Sequence, residues 1–431
     1  MRISFFEWKG DDPAGLAREL RGLQPPLADV ADEVSALIEE VRNSGDAAVL
    51  RLEERFAGAA PKHLRVPDQE LDAALNAAGD AREALELAAA NIRAVAESEV
   101  AADRDAETEL SAGQVVRLRS MPVASAGAYV PGGEAAYPST ALMTCLPARE
   151  AGVERVVVAS PPGSDRKPDS LVLAACALAE ASEVYAMGGV QAIAALALGT
   201  ESVAPVDVVV GPGNLYVQEA KRQLFGTVGV DGIAGPSELM AVIDGSVEAR
   251  WIALDLASQA EHGGDGLLVA VAAAPGDLEA LEREVETLAG AGSTIGDAPL
   301  GLVAVPGLDA AVELANALAP EHLELACDGA EVIAERVRTA GCVFTGPYGA
   351  TAFSDYVAGS NHVLPTGGAG RFAGPLGPRS FRRRIAGVRI PQEAARELAP
   401  SAATLARAEG FPLHAESVEA RLEDKEGGKS R

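Results

Sequence analysis

Apolar positions in the segment 26–105 recur every three or four residues. This spacing is seen in two runs: Val30, Val34, Leu37, Ile38 and Val41, and then Leu85, Ala88, Ile92 and Val95. A period near 3.6 places such side chains on one face of a helix. The pattern therefore predicts amphipathic helices over this part of the chain.

Further along, the pattern changes to short apolar, β-branched runs bounded by Gly and Pro. They are GAYVPGG (127–133), RVVVASPP (155–162), VDVVVGPG (206–213), ELMAVID (238–244), GLLVAVAA (266–273), GLVAVPG (301–307) and GCVFTGP (341–347). Alanine-rich helical stretches, including 139–152 and 170–181, separate them. Strands that are apolar throughout are typical of parallel sheets covered by helices on both faces. We predict an α/β fold containing two such units.

The last part of the chain has a different pattern. The glycine-rich stretch 359–377 is expected to be a long ordered loop, and a basic cluster follows it: Arg379, Arg382, Arg383 and Arg384. Such a cluster is typical of a solvated face or an interface. Residues 423–431, EDKEGGKSR, are expected to be a disordered tail.

Composition narrows the function classes. The 431 residues carry 36 basic and 63 acidic side chains, a net charge of −27, which argues against nucleic-acid binding and against a partner on anionic membranes. The N-terminal MRISFFEWKGDD reaches acidic residues too early for a signal peptide, and the apolar runs are too short to span a membrane. We expect a cytoplasmic protein whose four cysteines are buried free thiols.

Two motifs carry side chains suited to metal binding or proton transfer. In SQAEHGGDG (258–266), Gln259 and His262 would share one helix face and could reach one metal ion, or could form a polar helix end. In ALAPEHLEL (317–325), Glu321 and His322 are expected at a loop-to-helix junction. This pair could supply a base and orient water, or could be an ordinary surface pair.

Two further motifs are less distinctive when each is taken alone. SDYVAGSNHVLPTGG (354–368) places Asp355, Asn361 and His362 in a Gly/Pro-punctuated stretch, which favours either a binding loop or a polar surface loop. AEGFPLHAESV (408–418) places Glu409 and His414 in what could be an ordinary C-terminal helix. The remaining histidine, His63, belongs to no motif and is expected on the surface.

Glycine-rich junctions follow several predicted strands or turns, in GAYVPGG, YAMGGVQAIAAL (185–196), GPGNLYVQEAKRQL (211–224) and GIAGPSELM (232–240). Glycine there lets backbone approach a ligand, although ordinary turns would look the same. None of them is GxGxxG followed by an acidic residue about 20 positions later, so the usual dinucleotide fingerprint is absent. The residues alone indicate a soluble α/β enzyme with a candidate metal site.

Taken together, these segments resemble the histidinol dehydrogenase family. The resemblance runs from about residue 27 to 418 and rests on eight motifs in order: GAYVPGGEAAYPSTALM, GGVQAIAALALGTESV, VVGPGNLYVQEAKRQL, AGPSELMAVID, SQAEHGGDG, APEHLEL, SDYVAGSNHVLPTGG and EGFPLHAESV. One stretch departs from the family: YGATAFSDY has Ser354, where many members have Gly, directly before Asp355.

The resemblance implies roles for individual residues. The ligands of one Zn²⁺ per subunit would be Gln259, His262, Asp355 and His414, and the catalytic pair would be Glu321 and His322. Contacts to NAD would come from Tyr129, Gln191 and Asn214. Substrate would be bound by the four zinc ligands and His322, together with Ser237, His362 and Glu409.

The implied reaction is two successive NAD-dependent oxidations, from L-histidinol to L-histidinaldehyde and then to L-histidine. Zinc would anchor the substrate, His322 would take the alcohol proton, and Glu321 would position the water that attacks the aldehyde. The alternative is a homologous zinc/NAD dehydrogenase that acts on another small alcohol or a sulfonated diol. A zinc hydrolase with the same ligands would leave the NAD segments without a purpose.

The resemblance also implies an organisation. Two Rossmann-like α/β domains with parallel sheets would occupy 26–126 with 240–377, and 127–239, the latter associated with NAD. Residues 1–25 would form an N-terminal arm, and 378–431 a C-terminal dimerisation segment, the two terminal segments being small and helical. In the homodimer, Glu409 and His414 would complete the partner's site.

Overall fold

The computed structural model describes residues 1–58, 60–132, 135–290 and 297–422. The chain forms two compact units: Met1–Val100 with Val123–Phe381, and Ala101–Pro122 with Arg382–Arg431. The tail predicted at 423–431 and the end of the GAYVPGG motif lie outside the described residues.

Strands and helices alternate along most of the chain. The strands are β1 (Arg2–Glu7), β2 (Ala106–Glu109), β3 (Val115–Pro122), β4 (Ser125–Tyr129), β5 (Arg155–Ser160), β6 (Glu183–Ala186), β7 (Val208–Val210), β8 (Gly229–Val230), β9 (Glu238–Ile243), β10 (Leu267–Ala272), β11 (Pro299–Ala304), β12 (His322–Ala326), β13 (Cys342–Thr345) and β14 (Arg382–Arg389). The α-helices are α1 (Pro13–Arg21), α2 (Ala31–Phe56), α3 (Asp68–Ala77), α4 (Ala81–Ala102), α5 (Pro138–Glu150), α6 (Ser170–Leu178), α7 (Gly189–Leu198), α8 (Leu215–Leu224), α9 (Ala249–Ala260), α10 (Pro275–Gly290), α11 (Leu308–Leu318), α12 (Ala330–Ala334), α13 (Thr351–Tyr356), α14 (Gln392–Ala408) and α15 (Pro412–Glu419). The glycine-rich stretch after α13 is largely loop, as predicted, with a single 3₁₀ turn at Ala369–Arg371.

A six-stranded sheet in the first unit has the order β1-β11-β10-β9-β12-β13, and all its strand pairs are parallel. Its central strands are buried along their whole length. Helices α1, α11 and α12 pack on one face, and α9 and α10 on the other. Covering both faces explains why these strands are continuously apolar in sequence.

A five-stranded sheet in the same unit has the order β6-β5-β4-β7-β8 and is also parallel throughout. Its faces are covered by α3 to α6 on one side and by α2, α7 and α8 on the other. In each sheet the order in which strands are added reverses once. The reversal lies between β4 and β7 in the five-stranded sheet and between β9 and β12 in the six-stranded sheet. The predicted α/β class with two parallel sheets is confirmed.

Packing of the early helices differs from the predicted grouping of residues 26–126 with 240–377. Helices α2, α3 and α4 bury their apolar faces against α6, α7 and the five-stranded sheet. The predicted helices of 26–105 are confirmed, and their predicted apolar residues are buried except Val95, which is exposed. Periodicity does not indicate which sheet receives the apolar face. The domain boundaries themselves stay a prediction.

The second unit contains an antiparallel sheet, β14-β3-β2, together with α14 and α15. Its arginine cluster is partly ion-paired, because Asp103 lies 2.9 Å from Arg382 Nε and 3.2 Å from Arg384 Nη2. The two terminal segments, predicted to be helical, each also contain a strand. The N-terminal segment contains β1, in the first unit, and the C-terminal segment contains β14, in the second.

One local prediction is wrong. Glu321 and His322 lie at a helix-to-strand junction, since α11 ends at Leu318 and β12 begins at His322, whereas a loop-to-helix junction was expected. The apolar alternation of HLELA is too short to distinguish the two. Other predictions hold: His63 is exposed, three of the free cysteines are buried and Cys342 is partly so. Within the described ranges, no helix is both long and apolar enough to cross a bilayer.

Candidate active site

A cavity of about 1130 Å³ in the first unit lies where the two parallel sheets present their ends. The amino ends of β9 and β12 contribute Ser237, Glu321 and His322. The carboxyl ends of β4 and β7 contribute Tyr129 and the turn 211–214. The remaining predicted residues in its wall are Gln259, His262, Asp355, and His362. Nine of the predicted site residues therefore line one cavity.

The predicted catalytic pair is joined to Glu238, the first residue of β9, by reciprocal hydrogen bonds. The Glu321 carboxylate accepts a hydrogen bond from the Glu238 backbone N–H at 2.9 Å, and the Glu238 carboxylate accepts from the Glu321 backbone N–H at 3.3 Å. Parallel pairing of β12 with β9 continues from this point, with His322 opposite Leu239. The sheet register thus sets where both side chains enter the cavity.

Hydrogen bonding determines the tautomer of His322. Its Nδ1 lies 3.0 Å from the Glu238 carbonyl oxygen, which can only accept, so Nδ1 carries the proton and Nε2 keeps its lone pair. Nε2 is buried and has no hydrogen-bond partner among the described residues. Burial lowers the pKa of His322 to about 4, so the ring is neutral at neutral pH. His322 is therefore a free base facing the cavity.

The surroundings of Glu321 disfavour a negative charge on its carboxyl group. Burial raises its pKa well above the usual value, and the neighbouring carboxylates of Glu238 and Asp355 raise it further. The Glu321 carboxyl is only 5% exposed and lies 3.5 Å from His322 Nδ1. A buried carboxyl group with a raised pKa binds a proton more readily than a solvated one, which suits a proton acceptor.

The predicted metal ligands of the first unit come from the end of α9 and from α13. Gln259 donates from Nε2 to Thr351 Oγ1 at 3.3 Å, while its Oε1 is buried without a partner among the described residues. Burial raises the pKa of Asp355 to about 6 and lowers that of His262. Within the described residues, no group of three or more His, Cys, Asp or Glu side chains is placed to hold a metal.

These donors nevertheless fit a zinc ion. An amide oxygen, an imidazole and a carboxylate are oxygen and nitrogen ligands of the kind that zinc accepts. The unpartnered Gln259 Oε1 is the observation that favours a ligand here, because a buried carbonyl oxygen without a partner is unfavourable. His262 and Asp355 line the same cavity.

His362 is held in one orientation by two contacts. Its Nδ1 donates to the Asp355 carbonyl oxygen at 3.2 Å, so Nε2 accepts from the Thr140 hydroxyl at 2.9 Å. Burial lowers its pKa to about 4. Ser354, the residue that departs from the family pattern, is buried and its hydroxyl lies 2.7 Å from that of Ser360. The departure is thus accommodated inside the protein, beneath the loop that carries His362.

The three predicted NAD residues have different surroundings. Tyr129 accepts at its hydroxyl from Gly189 N–H at 3.1 Å, and Asn214 caps α8 by accepting from Val217 N–H at 3.1 Å. Gln191 does not line the cavity; its Nε2 donates to Glu53 Oε1 at 2.7 Å. The NAD contacts of all three stay a prediction.

Sequence reasoning missed four residues that organise the site: Arg21, Thr140, Lys221 and Glu238. Glu238 and Lys221 lie within the quoted motifs AGPSELM and GPGNLYVQEAKRQL, so the signal was available there. Lys221 is fully buried, a rare state for lysine, with Nζ 2.5 Å from Asp231 and 3.0 Å from the Gly211 carbonyl oxygen.

Glu409 and His414 belong to the second unit. Glu409 follows the last residue of α14, and the His414 ring stacks on Phe411 at 5.2 Å between centroids. Both are exposed in this chain. Their roles in zinc and substrate binding stay a prediction.

Comparisons with known proteins agree on one family. The family model described as Histidinol dehydrogenase matches residues 24–422. Histidinol dehydrogenase of Ruegeria pomeroyi is 44% identical over 409 residues, covering 93% of this chain and 94% of that protein. The enzyme of Cereibacter sphaeroides is 45% identical over 407 residues, covering 92% of each. The crystal structure of histidinol dehydrogenase from Elizabethkingia anophelis superposes with a TM-score of 0.89 at 28% identity, covering 98% of both chains.

Proposed function

We propose that this chain, which belongs to the histidinol dehydrogenase family, uses NAD and one zinc ion per subunit to convert L-histidinol into L-histidine. As a member of the family it is an oxidoreductase that oxidises histidinol in histidine biosynthesis. The observation that carries the finer proposal is the pair of unpartnered buried acceptors, His322 Nε2 and Gln259 Oε1, in the wall of one cavity.

His322 is the proposed base. Its Nε2 lone pair accepts the proton of the substrate hydroxyl while the carbon–hydrogen bond of the alcohol carbon breaks. The hydrogen bond from Nδ1 to the Glu238 carbonyl holds the ring in this orientation and stabilises the imidazolium that forms. A neutral ring at working pH is the state this step requires.

Gln259, His262 and Asp355 would hold the zinc from the first unit, and we propose His414 as the fourth ligand. Tyr129, Asn214 and Gln191 are the proposed contacts to NAD. When bound, NAD would supply the hydride acceptor for each oxidation, and zinc would supply a fixed positive charge that favours the nitrogen donors of the substrate. Ser237, His362 and Glu409 would complete recognition of the substrate, which favours histidinol over an alcohol lacking these nitrogens.

Glu321 is proposed to act in the second oxidation. Its carboxylate orients a water molecule toward the aldehyde carbon and takes one proton of that water as the carbon–oxygen bond forms. The imidazolium of His322 returns its proton to the former carbonyl oxygen, which gives the hydrate and a neutral ring. His322 then accepts the hydroxyl proton of the hydrate as the second carbon–hydrogen bond breaks. The product is a carboxylate, and each histidinol loses four electrons in total. No cysteine is needed, and Cys145 is buried with a pKa raised to about 12 by burial.

The proposal is tested by stoichiometry. Purified protein is assayed with L-histidinol and NAD as isolated, after chelation, and after zinc is returned. The expected result is two NADH per histidinol, loss of activity on chelation and recovery with zinc. Turnover of a diol that lacks the imidazole, with none of histidinol, would contradict it.

We also propose that two chains form a homodimer in which Glu409 and His414 complete the partner's site. Co-expression of His322→Ala and His414→Ala chains tests this. If His414 acts in the partner's site, the mixed dimer has one intact site and regains activity. If His414 acts within its own chain, every site in the mixed dimer is defective and no activity returns.

A further inference from the structure

Glu238 contacts both catalytic residues without lining the cavity among the described residues. Its backbone N–H donates to the Glu321 carboxylate, its carbonyl accepts from His322 Nδ1, and its carboxylate accepts from the Glu321 backbone N–H. The same carboxylate also accepts from Gly367 N–H at 3.0 Å, at the end of the loop that carries His362. Glu238 therefore forms hydrogen bonds both with the start of β12, where Glu321 and His322 lie, and with the loop that carries His362.

The Glu238 side chain is 1% exposed, and its charge is balanced from a distant part of the chain. Arg21, the last residue of α1, places Nη1 2.6 Å from Glu238 Oε1 and Nη2 3.3 Å from Oε2. This is a two-pronged arginine–carboxylate pair, the geometry that gives both charge balance and orientation. Arg21 Nη2 also donates to the Leu318 carbonyl oxygen at 2.7 Å, at the end of α11.

Arg21 thus joins three elements that meet at the catalytic pair. Helix α1 is anchored by Leu16, Ala17 and Leu20 in the core of the six-stranded sheet. Helix α11 delivers the chain to Glu321, and β9 begins at Glu238. Removing the guanidinium would leave a buried carboxylate without a counter-charge beside the buried Glu321 carboxyl, and one of them would have to move or take a proton.

We infer that Arg21 and Glu238 form a positioning pair that holds Glu321 and His322 in their reactive orientation, a role that rests on the function proposed above. Arg21 lies outside both the matched residues 24–422 and the motifs that carry the family resemblance. Among the described residues the pair has no hydrogen bond to a proposed metal ligand or to a proposed NAD residue, so we expect it to act on the chemical step and not on zinc or NAD binding.

The test separates kcat from the binding constants. Arg21→Met is expected to lower kcat about tenfold or more, since displacement of reacting groups by an ångström has effects of that size. The KM for NAD and the zinc content should stay unchanged. Arg21→Lys should recover part of the lost kcat, because it keeps the charge but not the fork. The double variant Arg21→Met with Glu238→Gln should lose no more than the worse single variant, because no charge is left unbalanced.

Arg371→Met is the matched control. Arg371 donates to the Gly368 carbonyl oxygen at 3.1 Å and to that of Ala317, next to the carbonyl that Arg21 contacts, but it has no hydrogen bond to Glu238 among the described residues. It should leave kcat near the wild-type value. Equal loss of kcat in both variants, or a lower melting temperature for Arg21→Met with unchanged kcat, would overturn the inference. Absence of NADH formation by the wild-type protein would instead contradict the proposed function.

Discussion

The two sheet edges that meet at the cavity differ in how their polar groups are satisfied. At the amino edge of the six-stranded sheet, His322 Nε2 and the nearby Gln259 Oε1 are buried without partners in the described protein. At the carboxyl edge of the five-stranded sheet, the Tyr129 hydroxyl and the Asn214 side chain already have backbone partners. The first edge thus has buried hydrogen-bond acceptors that a ligand could satisfy, whereas these two side chains of the second edge are already hydrogen-bonded to the backbone.

This contrast indicates a division of labour. Ligands of open parallel sheets usually bind at carboxyl ends, where the strand order reverses. In the five-stranded sheet the order reverses between β4 and β7, whose carboxyl ends line the cavity. The six-stranded sheet presents its amino ends instead, so the proposed catalytic residues lie at the start of β12 and not after its last residue. We expect the unpartnered edge to control chemistry and metal binding, and the partnered edge to control affinity for NAD.

The largest effect should come from removing the free base at the unpartnered edge. His322→Ala is expected to lower kcat by about 10² to 10⁴, the usual contribution of a general base, with zinc content and NAD affinity retained. Steady-state kinetics and metal analysis check this. The exposed His63 gives the control, since His63→Ala should change nothing. A His322→Ala enzyme within threefold of wild type would show that another group takes the proton.

A second large effect is expected at Gln259. Gln259→Leu keeps the side-chain volume but removes Oε1, so affinity for zinc should fall at least as much as the roughly 10- to 100-fold seen when supporting partners of a metal ligand are removed. Competition with a chromogenic chelator measures it directly, without an activity assay. Activity should return with excess zinc. Unchanged zinc affinity would remove Gln259 from the proposed ligand set.

At the partnered edge the expected change is in affinity alone. Asp231 Oδ2 accepts from Gly211 N–H at 2.8 Å, and Lys221 Nζ donates to the Gly211 carbonyl oxygen, so this buried ion pair holds both backbone groups of Gly211. Gly211 has φ +115°, and an added Cβ would lie 2.2 Å from the Tyr129 carbonyl oxygen. Lys221→Met should raise the Kd for NAD about tenfold with kcat at saturation unchanged.

The control for Lys221 is an ion pair at the other end of the same sheet. Arg155 and Glu183 lie 2.7 Å apart at the first residues of β5 and β6, away from the cavity. Arg155→Met should leave NAD binding intact. If Lys221→Met does not fold, the double variant with Asp231→Asn removes both charges and serves in its place. Equal weakening of histidinol and NAD binding would contradict the division between edges.

The last expected effect is a pH dependence of stability. Glu53 accepts at Oε1 from Gly188 N–H and Gln191 Nε2, both at 2.7 Å, and burial raises its pKa from 4.5 to about 6. A raised folded pKa stabilises the protein below pH 4.5, and this contribution is lost as the pH rises through 6. It amounts to about 2 kcal/mol.

Glu53→Gln isolates that contribution, because its amide oxygen can still accept both hydrogen bonds. The free energy of unfolding of both proteins is measured in urea from pH 4.5 to 7.5. Relative to the variant, the wild type should lose stability as the pH rises through this window, so that the variant is the more stable protein at pH 7. NAD affinity should be unaffected. A constant difference across the pH range would mean that Glu53 does not titrate there.

Much of the fold and part of the site could be predicted because their signals are local. Helical and strand periods report which face of a short segment is buried, and this located α2, α4, β5, β9 and β10 closely. Six cavity residues could be identified from their motifs, because each motif contains side chains suited to metal binding or proton transfer and the family resemblance assigns them to one site. They are Gln259, His262, Glu321, His322, Asp355 and His362. Three of the five histidines fall in these motifs.

What only the tertiary structure decided are the partners between distant segments. Arg21 and Glu238 are 217 positions apart, and neither spacing nor composition relates them. The strand that begins at His322 owes its identity to pairing with β9 and β13, and the helices of 26–105 owe their place to the sheet that receives their apolar faces. A sequence pattern determines which side of a segment avoids water. The packing of the chain determines which buried groups find a partner and which, like His322 Nε2, have none among the described residues.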